Sequence, residues 1–508
     1  MADLAEQIPM PSVAVRARVS TVDRGRSGFR AWSGVRRFLL VLFALYLVKQ
    51  VVFVVAFRPF SGHDEVAHYS YLRTVATDGR VPVLPELEEW RRAFQSGLNP
   101  RVDGLPDELY PYCAYALYWH CEPDEPRWAN DPPRAVTVAG VAFATGYQYA
   151  ANHPPLYYVL MTPIYWASAS LSAVQQHYLL RLAAIPFGLA TVFLAYRLVR
   201  ALFPGDAFLA VTVPTFVAFQ PQIAYESAMV NNDIVAIALF SWILYLLVIG
   251  IRDRFPTRTS VLLGFVLGLA LLTKANGLAA VPLIAMAVML SVGWRDVRGW
   301  VRRGALVVAP AALLAAPWYV FLYRTYGNFD GLDQIEALQS YWNRPAGTFF
   351  GMLSDPDFVV MRFRETWGEF GWRQIPLGTT LLWAIAIPLL VAVGGLLVYV
   401  LKAALQAGEP GDSVTQPERW QWYALLVLGA SCATVYLAVI QFGTRFALTQ
   451  ARYYFPVVNA ASLLLLLGLR TLVPRAYHAY AQGAIFASLV LLNVMVFTRY
   501  VIPHYLSA

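Results

Sequence analysis

The chain has 508 residues, 58% of them hydrophobic and 14% charged, with a formal net charge of +8 and a mean hydropathy of +0.50. A helix needs roughly 20 apolar residues to cross the ~30 Å hydrocarbon core; many stretches qualify, which excludes a soluble globular domain and predicts an all-α polytopic membrane protein. The period-two pattern of a transmembrane barrel is absent, and the basic residues are scattered over short loops with no nucleic-acid motif, so the expected surroundings are the lipid bilayer and not a nucleic acid.

Residues 1–34, with Arg16, Arg18, Arg24 and Arg26 among small and polar neighbours, read as a disordered cytoplasmic tail. The apolar run 35–57 is too long for a signal-peptide core and reads as the first retained span. Residues 58–177 make a first long loop, acidic and aromatic, with juxtamembrane helices expected on the membrane surface. Spans two to seven are predicted at 178–199, 208–224, 234–251, 261–272, 279–293 and 304–322. A second long loop covers 323–379, and spans eight to eleven fall at 380–401, 423–440, 455–472 and 481–501. Long ordered loops are where function is usually housed.

The stretch 154–173 is also apolar enough to cross, and charge bias decides against that, because short cytoplasmic loops carry excess Lys and Arg. Only if it lies on the surface do Arg36, Arg37, Arg197, Arg200, Arg252, Arg254, Arg258, the 295–303 arginines, Lys402, Arg470 and Arg475 share one side. It is therefore expected as an interfacial helix. The N-terminus is then cytoplasmic, the C-terminus external and both long loops exoplasmic. Cys113 and Cys121 share the first loop and could pair in an oxidising compartment; Cys432 lies in an apolar run and reads as core.

Against this apolar background the polar motifs stand out. His63-Asp64-Glu65 follows the first span directly, and helical spacing puts Asp64, His68 and Tyr71 on one stripe. His63 and His68 are five apart, which fails the four-residue spacing of a zincin helix. His153-Pro154-Pro155 starts a helix well. Capping explains one of Asn231, Asn232 and Asp233 but not Glu226 and Asp233 together. Lys274 interrupts two short apolar runs, where snorkelling is the ordinary alternative. Lys49, inside the first span, shares that ambiguity. Trp367 and Trp372 bracket an aromatic segment that would stack on sugar rings or sit in an interfacial aromatic belt. Arg445 and Arg452 lie on the external side against the positive-inside trend, and the arginine fork suits phosphate. Arg181, just inside the second span, is a third such candidate. All these motifs fall on one face of the membrane, which would suit a reaction between a lipid-borne phosphate and a hydroxyl.

In order, the motifs are Asp64-Glu65, His153-Pro154-Pro155-Leu156-Tyr157-Tyr158, Asn231-Asn232-Asp233, the Trp367 to Trp372 segment, and Gln450-Ala451-Arg452-Tyr453-Tyr454-Phe455-Pro456. That series resembles bacterial multi-spanning proteins of the glycosyltransferase-C (GT-C) superfamily, family-39-like and related to protein mannosyltransferases and aminoarabinose transferases. The resemblance covers nearly the whole chain after the tail. It implies a GT-C-like fold of about eleven transmembrane helices in a bacterial cytoplasmic membrane, with two exoplasmic loop regions carrying interfacial helices. The implied reaction moves a sugar from a polyprenyl-phosphate donor to a glycan, lipid or protein acceptor on the exoplasmic face. Asp64 matches the catalytic aspartate of the first loop and Glu65 its neighbour; His63 stands where related transferases often carry proline.

An acceptor hydroxyl needs a carboxylate within hydrogen-bond reach to take its proton, a role that falls to Asp64. Arg452, then Lys274, Arg445 and Arg181, are expected to hold the donor phosphate, where negative charge develops. His68, His153, Tyr157, Asn232, Asp233, Trp367, Trp372 and Tyr453 are expected to bind substrate. No cofactor is required; a divalent cation, Mg²⁺ or Mn²⁺, is compatible with the oxygen-rich face, with its ligands undefined by spacing. A transporter or flippase of lipid-linked saccharides is the alternative. It would place polar groups near the midplane, where Lys49 is the main charge.

Overall fold

A computed structural model describes residues 21–84, 86–88, 136–138, 141–143, 150–338, 347–405, 414, 416–446 and 450–507, with the side chains of 21–33, 136–138, 141–143, 372 and 507 outside the description. Cys113 and Cys121, whose pairing the sequence leaves open, and the tail up to residue 20 also lie outside the described residues.

The architecture is helical. The first half carries α1 (Thr21–Ala56), α2 (Glu65–Asp78), α3 (Leu156–Ala167), α4 (Ala173–Leu202), α5 (Ala207–Phe219), α6 (Pro221–Glu226), α7 (Asp233–Asp253), α8 (Thr257–Leu271), α9 (Ala280–Val292) and α10 (Val297–Tyr326). The second half carries α11 (Leu332–Leu338), α12 (Phe349–Ser354), α13 (Pro356–Gly368), α14 (Phe370–Arg373), α15 (Thr379–Leu405), α16 (Arg419–Gly443), α17 (Val458–Leu472), α18 (His478–Met495) and α19 (Ile502–Ser507). A short antiparallel hairpin pairs β1 (Val136–Val138) with β2 (Val141–Phe143) inside the first loop.

Each of the eleven expected spans is helical. Among the described residues nine helices have the length and composition to cross, while α5 and α8 are shorter. The expected single span 208–224 is broken at Gln220-Pro221: α5 ends at Phe219, and Gln220 caps α6 by accepting the Ile223 N–H at 2.6 Å. A helix end inside lipid exposes carbonyls that no water can satisfy. Neighbouring helices supply the donors: Lys49 Nζ donates to Ala218 O, Asn493 Nδ2 to Phe219 O at 2.7 Å, and Gln50 Nε2 to Ala224 O at 3.0 Å.

α3 has 12 residues, which at ~1.5 Å per residue is far short of the ~30 Å core. It is tethered instead: Leu156 N–H donates to Leu272 O at 2.9 Å and Trp166 Nε1 to Ala76 O at 2.9 Å. α4 starts in a capping box between Ser172 and Gln175. Close approach of α15 and α17 depends on glycine. A Cβ on Gly395 would stand 2.2 Å from Gly468 O, and one on Gly468 would stand 2.0 Å from Ala392 O. The last helix returns to the first loop, where Arg58 Nη2 donates to Tyr505 O at 2.6 Å and Tyr505 Oη to Ser61 Oγ at 3.0 Å.

Candidate functional site

Four charged side chains from distant parts of the chain meet at one end of the bundle. Asp64 precedes α2 with φ 58° and ψ 14°, a left-handed conformation that aspartate tolerates better than most residues. Asp233 sits in the first turn of α7, whose start is capped by Asn231 Oδ1 accepting the Ile234 N–H at 3.2 Å. Lys274 lies in the break between α8 and the 3-10 turn Ala275–Ala279, and Arg452 in the 3-10 turn Ala451–Val457 that leads into α17. Both breaks leave polar backbone and a cation where two regular helices would have met.

Charge alternates along the group. Arg452 Nη2 pairs with Asp64 Oδ2, Arg452 Nη1 lies 3.3 Å from Asp233 Oδ2, and Lys274 Nζ lies 2.5 Å from Asp233 Oδ1. Side-chain exposure is 4% for Arg452, 2% for Asp233 and 13% for Lys274. The Tyr453 ring stands 5.2 Å from Lys274 Nζ and 5.6 Å from Arg452 Cζ, within reach of cation–π attraction. Burial works against the Asp64 carboxylate, yet Arg452 holds its carboxyl well below the usual range. Burial outweighs Asp233 at Lys274 and lowers its ammonium.

The stripe read from helical spacing is present. His68 Nδ1 lies 2.8 Å from Tyr158 Oη, the Tyr71 and Tyr158 rings stack at 3.5 Å, and Tyr71 Oη donates to His153 O at 3.0 Å. The His68 and His153 rings are 5.9 Å apart. Tyr157 is fully buried behind them, its ring 6.3 Å from His68. Asn232 Nδ2 donates to Thr273 O at 3.2 Å, tying the start of α7 to the turn that carries Lys274.

Burial, with Lys274 among the nearby charges, pushes His68 down to about 4 and His153 down to about 3. Both are neutral at physiological pH. Because the folded values lie below the ordinary 6.5, the unfolded chain takes up protons first as pH falls. Stability is full above pH 6.5 and declines as pH drops from there toward 4. Thermal unfolding of the solubilised protein across that window should show a falling Tm, and a His68→Gln, His153→Gln double variant should flatten the slope.

Several expected site residues are elsewhere. Glu65 and Arg181 are both fully buried and form a bidentate pair, with Arg181 Nε 2.8 Å from Oε1 and Nη2 2.5 Å from Oε2. Glu65 also accepts the Gly62 N–H at 2.7 Å and the Val230 N–H at 2.9 Å. Arg181 donates further to Val54 O, Phe57 O and Arg58 O at 3.1, 2.8 and 3.0 Å. Every nitrogen of this guanidinium is engaged, so Arg181 clamps the end of α1 to the first loop instead of holding a phosphate, and Glu65 is its counter-ion. Arg445 Nη2 lies 2.5 Å from Asp333 and 2.6 Å from Glu336, an exposed link between the turn after α16 and α11. Trp367 is 5% exposed and packs edge-on against Phe216 at 5.6 Å, which removes it as a sugar-stacking surface. The Trp372 side chain lies outside the described residues.

Other residues frame a narrow polar cavity beside Arg452, lined by His63, Gln222, Glu226, Glu365, Glu369, Arg373, Gln450 and Ala451. Glu365 receives Arg373 and Arg362 and the Ala451 N–H at 2.9 Å. Of these, Gln222 and Gln450 carried no signal beyond proximity to Glu226 and Arg452 in sequence. Among the described residues no group of three or more His, Cys, Asp or Glu is arranged to hold a metal ion.

Residues 152–321 match the family model of dolichyl-phosphate-mannose-protein mannosyltransferases. No curated protein matches significantly in sequence. Among solved structures, apo ArnT from Cupriavidus metallidurans superposes with a TM-score of 0.51 at 14% identity, covering 92% of this chain and 74% of that one. The same enzyme bound to undecaprenyl phosphate gives 0.46 at 14% identity, over 91% and 73%. The Archaeoglobus fulgidus oligosaccharyltransferase gives 0.50 at 13% identity, covering 90% of this chain and 52%, about half, of that one. The fold is shared with ArnT and with the archaeal oligosaccharyltransferase, and residues 152–321 are similar to the protein mannosyltransferases.

Proposed function

We propose that this multi-pass GT-C protein is a glycosyltransferase that moves a sugar from a polyprenyl-phosphate carrier to a hydroxyl acceptor on the exoplasmic face of a bacterial cytoplasmic membrane. The observation that carries this reading is the buried alternation Asp64–Arg452–Asp233–Lys274 at one end of the bundle. The segment similar to mannosyltransferases that use dolichyl phosphate mannose contains His153, Asp233 and Lys274, which supports a polyprenyl-phosphate donor.

The chemistry follows from competition for one guanidinium. Arg452 neutralises Asp64 and Asp233 in the resting protein, and a donor phosphodiester offers it a third anion. As the phosphate takes over Arg452 and Lys274, Asp64 loses its counter-charge and regains basicity. The carboxylate then accepts the acceptor proton while the hydroxyl attacks the anomeric carbon. The departing polyprenyl phosphate gains negative charge, and cations already in place stabilise it there. Donor binding thus precedes and enables deprotonation of the acceptor. The transport alternative rested on a midplane charge; Lys49 is occupied with the Ala218 carbonyl and ringed by Tyr46, Phe53 and Phe219.

Purified protein given a labelled polyprenyl-phosphate sugar and a hydroxyl-bearing glycan, lipid or peptide acceptor should release free polyprenyl phosphate. Arg452→Ala and Lys274→Ala should each lower the rate roughly 10²- to 10³-fold, while Arg445→Ala leaves it unchanged. Movement of the labelled lipid across vesicles without release of polyprenyl phosphate would replace this reading with transport.

A further inference from the structure

His63 has a defined setting beside Asp64. It is 4% exposed, immediately precedes Asp64 and lines the cavity shared with Arg452. Its Nδ1 lies 3.2 Å from Glu226 Oε1. Glu226 is fully buried, and its other oxygen accepts from Asn231 Nδ2 at 3.2 Å. Gln222 Nε2 stands 3.5 Å from Oε1. Asn231 also caps α7, so the carboxylate is fixed by the element that carries Asp233. Among the described residues the ion-pair partner of Glu226 is His63. Glu226 is also within electrostatic reach of Arg452, so the carboxylate joins the imidazole to the charged group at Asp64.

We propose that His63, oriented by Glu226, is the proton relay behind Asp64, receiving the acceptor proton and discharging it through the cavity. The inference rests on the transferase reading. As the acceptor oxygen bonds to the anomeric carbon its O–H bond breaks, and the electron pair of the anomeric carbon–oxygen bond leaves with polyprenyl phosphate. The proton passes through Asp64 to the imidazole, whose charge Glu226 balances, and then to bulk water. The Glu226 carboxylate, 3.2 Å from Nδ1, holds the charge that the ring takes up. Transfer to His63 also clears Asp64 to pair again with Arg452 once the product phosphate leaves.

The groups facing His63 suit this exit. From α6 come Glu226 and the Tyr225 ring, 5.6 Å away; Asp64, the next residue in the chain, is within electrostatic reach, and Arg452 lines the same cavity. The second loop adds Glu365, Glu369 and Arg373 across the cavity. Glu226 is a positioning residue here, since it acts through the imidazole.

The test is a pH–rate profile of polyprenyl phosphate release with saturating donor. His63→Gln should lower kcat roughly 10²-fold with the donor KM unchanged, and added imidazole should restore part of the rate in His63→Ala. Glu226→Gln should move the acid limb of kcat down by about one pH unit. Binding of labelled polyprenyl phosphate to each variant reports folding independently of turnover. Unchanged kcat and profile in His63→Gln, with active wild type, overturn the relay and leave the transferase reading intact. No release of polyprenyl phosphate by wild type overturns the transferase reading itself.

Discussion

Asp64→Asn should abolish sugar transfer while leaving the protein folded and its grip on polyprenyl phosphate undiminished. The amide keeps the shape of the carboxylate but accepts no proton, and general-base catalysis is commonly worth about 10²- to 10⁴-fold. The charge balance makes the second half of the expectation specific. In the wild type Asp64 competes with the donor phosphate for Arg452; the neutral variant gives up that competition, so donor affinity should hold or rise as kcat collapses. Arg452→Ala should show the reverse pattern, weakened donor binding together with a slower rate. Measuring labelled polyprenyl phosphate binding alongside turnover separates the two. Normal turnover by Asp64→Asn would remove Asp64 as the base, and lost donor binding would show that its carboxylate serves the phosphate site instead.

The six residues that gather at the bundle end, Asp64, His68, His153, Asp233, Lys274 and Arg452, were legible in the sequence for one physical reason. Each is a polar or charged group at the same end of an apolar span, where packing gives no account of it. Which partner each would choose was not legible. Arg181 and Arg452 look alike as cations near an external helix end, but Arg181 faces the carbonyls of Val54 and Phe57, at and just beyond the end of α1, and a buried carboxylate. Arg445 meets an acidic pair on α11 that lies over a hundred residues earlier in the chain. Trp367 was read as a sugar-stacking or belt ring because it lies in an aromatic loop segment; tertiary packing turns it against Phe216. The span pattern was readable from hydropathy, whereas the break after Phe219 was not. Its feasibility depends on donors from α1 and α18 that local sequence cannot show.

Adjacent carboxylates with opposite fates give the second large effect. Glu65 and Asp64 differ by one position, but the left-handed turn at Asp64 sends one side chain toward Arg452 and leaves the other beneath the loop with Arg181. Glu65→Gln and Arg181→Met should each destabilise the fold by about 3–5 kcal/mol, because each strands a buried charge. The effect should appear as loss of monodisperse protein and a lowered Tm, with kcat per folded molecule much less affected. A double Glu65→Leu, Arg181→Met variant should recover part of that loss, since paired apolar replacement of a buried ion pair is often neutral. Recovery stays incomplete for an identifiable reason. Arg181 also serves the carbonyls of Val54 and Phe57, and leaving buried acceptors without donors costs about 1–3 kcal/mol each, whereas the Arg58 carbonyl keeps the Ser61 N–H and hydroxyl. A Glu65→Gln variant with an unchanged Tm and no turnover would reverse the assignment, making Glu65 part of the reacting site and Arg181 its electrostatic support.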